Sequence, residues 1–133
     1  MTRRLAILDD NHERLRERLV ELGQVLPPLI VERACAAIVI GSVAEGRARD
    51  ASDIDVVIVL REGEPRRSDY RWWAARVAPG LAEPADGRFP VQPVIVGRAA
   101  LATNEPHLKT ALAKGIPLWD PEHLFGDESQ AAA

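Results

Sequence analysis

At 133 residues and 47% apolar content, the chain has the length of one domain and enough hydrophobic material for a core. Its net charge of −3 argues against broad electrostatic binding to nucleic acid or to an acidic membrane. No apolar stretch is long enough to span a bilayer, and M-T-R-R-L-A-I-L-D-D reaches acids too soon for a signal peptide. The single cysteine, Cys35, permits no internal disulfide and predicts a reducing, cytoplasmic setting. It reads as a small buried hydrophobe rather than a nucleophile.

Asp10 or Asn11 can cap a first helix running to about Val25. Leu15, Leu19, Leu22 and Leu26 recur at helical spacing and give one apolar stripe. The remaining face, with Glu13, Arg14, Arg16, Glu17, Arg18 and Glu21, reads as solvated. Pro27-Pro28 should break the helix, leaving Leu29 to Arg33 as a separate turn.

Ala36 to Ile40 is a short apolar run of strand type, and it ends in Gly41-Ser42. A short helix over Val43 to Ala48 should follow. Glycine at that bend lets a ligand approach the backbone. Free N–H groups and the helix dipole favour an anion there, and the Ser42 hydroxyl adds a donor. Arg47 and Arg49 lie in the next loop, where either a phosphate contact or plain solvation would account for them. Nothing in its spacing requires Glu45 at the same site.

Asp53-Ile54-Asp55 then leads into a second apolar run, Val56 to Leu60. Residues two apart on a strand share a face, so both carboxylates point one way and Ile54 points into the core. Such a pair repels itself unless a cation lies between, and a hard divalent ion such as Mg²⁺ suits it. A phosphate cradle at one strand end beside a metal holder at the next is what nucleotide phosphoryl chemistry needs.

R-E-G-E-P-R-R is a polar turn region. Ser68 or Asp69 should cap a helix over Tyr70 to Val77, stopped by Pro79-Gly80. With Tyr70, Trp73 and Val77 on one face, Trp73 is expected inside and Trp72 partly exposed beside Arg76, as a flank residue or a partner contact. V-Q-P-V-I-V-G reads as a third strand whose Pro93 suits an edge. Thr103 or Asn104 should start a last helix, His107 to Lys114, closed by Gly115 in a left-handed cap. Residues 1–126 read as one domain and 127–133 as a flexible tail. His12, His107 and His123 match no metal-ligand spacing. A P-loop is excluded because Arg47-Ala48 follows Gly46, and Ser42 lacks the G-x-S-x-G elbow.

Gly41-Ser42, Gly46, Ser52 and Asp53-x-Asp55, with ten residues between Ser42 and Asp53, resemble the DNA polymerase β-type nucleotidyltransferase superfamily. The length and order of elements over residues 10–120 are similar to its minimal nucleotidyltransferase branch. The resemblance implies an α/β (α+β) fold: a small mixed sheet of three to four strands backed by helices on one side. It implies Mg²⁺ as cofactor and ATP as substrate. Asp53 and Asp55 would be metal ligands and catalytic, with Gly41, Ser42, Gly46, Arg47 and Ser52 on the nucleotide. G-I-P-L-W-D resembles the family's closing segment.

The family also carries a third acid on its third strand, and the matching position here is Gln92. Glutamine keeps an oxygen but cannot act as a base. Three accounts stay open: two carboxylates suffice, Asp86 substitutes, or the site binds nucleotide without rapid turnover. The resemblance thus implies AMP transfer to an acceptor hydroxyl. In the minimal branch that acceptor is a tyrosine of a HEPN-type toxin, within a toxin–antitoxin pair. The rival reading is an interaction module that neutralises a partner by binding. A third is a resistance-type enzyme acting on a small hydroxylated drug. Base preference and homo-oligomerisation are left open.

Overall fold

A computed structural model describes residues 13–48, 52–81, 89–102 and 105–125. The expected caps at Asp10, Asn11, Thr103 and Asn104, the residues Arg49 and Asp86, and the C-terminal tail lie outside that set.

Helix α1, Glu13–Ile30, carries the apolar stripe: Leu15, Leu19, Leu22, Leu26 and Ile30 are each at most 1% exposed. Full burial of such side chains stabilises by about 1.5–3 kcal/mol each. That packing explains a departure from expectation. Pro27 and Pro28 do not end the helix; it continues to Ile30, and the Val31 N–H donates to the Pro27 carbonyl at 3.0 Å. Two missing N–H groups weaken the last turn, but Leu26 and Ile30 on the same stripe hold it against the sheet.

The sheet among the described residues has four strands in the order β3-β2-β1-β4. They are β1 Ala34–Ile40, β2 Ile54–Leu60, β3 Val91–Val96 and β4 Ile116–Trp119. Strand β1 runs antiparallel to β2 and β4, and β2 runs parallel to β3, so the sheet is mixed. Strand β1 starts earlier than its apolar run suggests. Ala34 pairs with Leu60 and Ala36 with Val59, so Cys35 is the extra residue of a bulge. Its thiol is buried. Strand β3 is the edge that Pro93 requires, and the Ile95 N–H on it donates to the Tyr70 hydroxyl at 3.2 Å.

Both faces are covered, rather than one. On the first, α1 packs over Ala37, Val39, Ile54, Val56 and Ile58. On the second, Cys35, Ile38, Val57 and Val59 lie under Leu101 and under Leu112 of helix α4, Pro106–Ala113. Glu105 caps α4, its carboxylate accepting from the His107 and Leu108 N–H groups at 3.0 and 2.6 Å. Gly115 is not a left-handed cap. A side chain there would run into Ile38, so glycine serves the close approach of α4 to β1.

The short helix after the bend, α2, is Gly41–Ala44, about one turn shorter at its end than the run to Ala48 suggests. Helix α3, Arg67–Trp72, passes into a π-helical turn, Trp73–Val77, and a 3₁₀ turn ending at Gly80. Arg66 is the N-cap residue, and its N–H donates to Asp69 at 2.9 Å. Trp72 and Trp73 are both 6% exposed while Tyr70 is 46% exposed, so the buried face of this helix is wide enough for two adjacent residues. Trp72 is therefore a core residue under the Arg33 guanidinium, 5.4 Å from its ring centroid, and not a partner contact.

Candidate active site

Alternation along β2 separates core from chemistry. Ile54, Val56 and Ile58 enter the α1 side, so Asp55, Val57 and Val59 face the other. Asp53 stands one residue before the strand, and its charge is felt at Asp55. Burial first, and that neighbouring charge second, push the Asp55 carboxyl above the ordinary carboxylate range.

Gly41 closes on the same carboxylate. Its φ of +76° is a left-handed conformation, and a Cβ there would come within 2.9 Å of Asp55 Oδ2. The bend thus lies directly against the aspartate, with no room for a side chain between. Ser42 is half-buried beside it, and its carbonyl accepts from the Arg47 N–H at 2.8 Å. Gly46 takes a φ of +75° in the turn that follows. Ser52 is half-buried just ahead of Asp53.

On the other flank, Gln92 is the Cα partner of Asp55 across the parallel β2–β3 pair. Val96, four residues on, packs on the second face, so Gln92 shares that face with Asp55. Gln92 is exposed. Among the described residues no third histidine, cysteine or acid joins the pair as a metal cluster. His107 and His123 are exposed.

Arg47 is also exposed, and its guanidinium pairs with Glu45 at 3.3 Å. Lys114 Nζ reaches the other oxygen of Glu45 at 3.6 Å. No motif or spacing in the sequence singles out Lys114; only the fold carries the end of α4 to the bend. Two open depressions, of about 500 and 360 Å³, share Arg33 and Glu32 at the far end of β2, where Leu60 lies. Neither is lined by Asp53 or Asp55.

A family model described as a nucleotidyltransferase domain matches residues 12–86, over half of the chain. The match takes in Gly41, Ser42, Asp53 and Asp55 and stops short of Gln92 and Lys114. Among curated proteins none matches. No helix among the described residues is long and apolar enough to cross a membrane. With the bend, the aspartates and the strands between them inside the matched span, this chain belongs to the nucleotidyltransferase domain family.

Proposed function

We propose that the protein moves a nucleoside monophosphate, AMP from ATP, onto an acceptor hydroxyl with the help of Mg²⁺. One observation carries this reading above the others: the Gly41 backbone packed against the Asp55 carboxylate. The bend and Asp55 lie side by side, which supports one ligand shared between them.

The donor set suits a hard cation. Two carboxylates, one of them pushed up partly by the charge of the other, share the site with Gln92, the strand partner of Asp55, whose side chain carries an amide oxygen. Asp53 and Asp55 would hold Mg²⁺, which when bound would offset triphosphate charge and polarise the reacting phosphorus. Gly41 and Ser42 would orient the β- and γ-phosphates through backbone N–H groups and the serine hydroxyl. Gly46, Arg47 and Ser52 complete that cradle. The acceptor oxygen bonds to the α-phosphorus as the bond to the bridging oxygen breaks, and pyrophosphate leaves with the electron pair. Gln92 can position the hydroxyl but cannot take its proton, which passes to water.

The acceptor we favour is a tyrosine of a HEPN-type toxin, on the likeness to the minimal branch. Incubation with ATP labelled at the α-phosphate, Mg²⁺ and the product of the adjacent gene tests this. Label should move to the partner. Asp53→Asn should slow transfer by about 10²–10³-fold, the scale of one lost electrostatic stabiliser. Gln92→Asp should raise it, by up to about 10²-fold if the missing base limits the rate.

A second reading has its own support in the neutral Gln92 beside Asp55: a module that binds its partner and holds nucleotide without turning it over. An Asp53→Asn variant that neutralises the partner as well as wild type, with no label moved by either, would favour it.

A further inference from the structure

Glu45 is held by two cations, one near it in sequence and one far from it. Arg47 lies two residues on; Lys114 ends α4, far away in sequence. The arrangement follows from the sheet. Strand β4 pairs with β1 so that Val39 faces Ile116 and Ile38 faces Pro117. Continuing that register past the end of β1 sets Lys114 opposite Gly41. The close seat of Gly115 on Ile38 fixes this approach. Lys114 therefore belongs beside the bend, across from Arg47.

The exposures set the direction of the pairing. The Glu45 side chain is 26% exposed, against 66% for Arg47 and 58% for Lys114. The acid next to the bend is thus the more covered partner of both exposed cations. One carboxylate also leaves two cations under-neutralised, at a site that otherwise carries Asp53 and Asp55. Half-exposed ion pairs of this kind contribute little and exchange readily. A triphosphate carries more negative charge than one magnesium ion cancels, so it is the stronger partner for both cations.

We propose that Lys114 is a binding residue for the β/γ end of the nucleotide, and that Glu45 is the internal anion which holds Lys114 and Arg47 until the triphosphate replaces it. The proposal rests on the nucleotidyl-transfer reading above and adds a residue that lies outside the matched span. Glu45 then acts as a competitor: it keeps the cations in place and lowers affinity for the triphosphate that must displace it. Discrimination between triphosphate and monophosphate follows from the Lys114 contact, which a monophosphate does not reach.

Calorimetric titration of the full chain with Mg·ATP and with Mg·AMP tests it. Lys114→Ala should weaken Mg·ATP binding about tenfold, the loss of one charge-assisted contact. Mg·AMP binding should stay at its wild-type value. Lys114→Arg should recover most of the loss, which a packing role would not allow. Glu45→Gln should tighten Mg·ATP binding, leave Mg·AMP binding unchanged and so widen the preference for three phosphates over one. Unchanged Mg·ATP affinity in both Lys114→Ala and Glu45→Gln, with Asp53→Asn still impaired, would overturn the exchange and leave the transferase reading standing. Equal weakening toward ATP and AMP in Lys114→Ala would also overturn it. A wild-type chain that binds no Mg·ATP would overturn both.

Discussion

The two faces of the sheet are made from the same strands and do different work. The α1 face is closed by five side chains in one stripe, each at most 1% exposed. The opposite face is apolar only in part: Cys35, Ala36, Ile38, Val57 and Val59 pack under α4, while Asp55 and Gln92 continue the same rows to its end. A single step along β2, from Ile54 to Asp55, passes from core to chemistry. Stability can thus be concentrated on one face, leaving the other to hold charges that a well-packed core would not tolerate.

This contrast can be broken from either side. The largest effect belongs to the closed face. Leu22→Ala should cost about 2–5 kcal/mol of unfolding free energy, read from denaturant midpoints. Nucleotide affinity of the molecules that remain folded should be unchanged, because Leu22 touches only the α1 side. A large loss of affinity in folded Leu22→Ala would mean that the faces are coupled.

Next comes the bend. Gly41→Ala forces a side chain into a left-handed backbone and against Asp55 Oδ2, a strain of about 1–3 kcal/mol. Here stability and nucleotide binding should fall together, unlike Leu22→Ala. Gly46→Ala shares the left-handed strain but has nothing within 4 Å of its new Cβ, so it should cost stability without moving Asp55.

The smallest effect is electrostatic and has the opposite sign. Asp55 is raised above its ordinary value of 3.8, so the folded state holds that proton more tightly than the unfolded chain does. Its contribution favours folding in acid and is lost as pH rises through the raised value. At neutral pH the ionised group is a burden in the absence of a cation. Asp55→Asn should therefore raise the melting temperature of the metal-free protein at pH 7, and the gain should vanish toward pH 3. Addition of Mg²⁺ should stabilise the wild type at pH 7 and leave the variant unmoved.

What the sequence discloses follows the same division. The Gly-Ser bend and the aspartate strand are legible because each depends on local rules: a period of two, a glycine at a turn, an apolar run. Gln92 is legible only through the family resemblance, which points to a third acid on the third strand; the parallel register that pairs it with Asp55 comes from the fold. Other features depend on contacts from far along the chain. Pro27-Pro28 looks like a helix end until Leu26 and Ile30 are seen buried against the sheet. Trp72 looks like a surface residue under α-helical spacing, yet it is buried, with Arg33 from far back in the chain over its ring. Cover on the second face comes from α4, whose docking depends on the absence of a side chain at Gly115. Lys114 reaches the bend by that same docking, which no local pattern announces.

The account turns on Asp53 and Asp55 sharing one cation beside the bend. Titration of Mn²⁺ followed by its electron paramagnetic resonance, with a non-hydrolysable ATP analogue present, addresses that directly. The wild type should remove free Mn²⁺ signal at a defined site, and Asp53→Asn and Asp55→Asn should each lose that site while remaining folded. Variants that bind Mn²⁺ as the wild type does, or a wild type that takes up none, would contradict it.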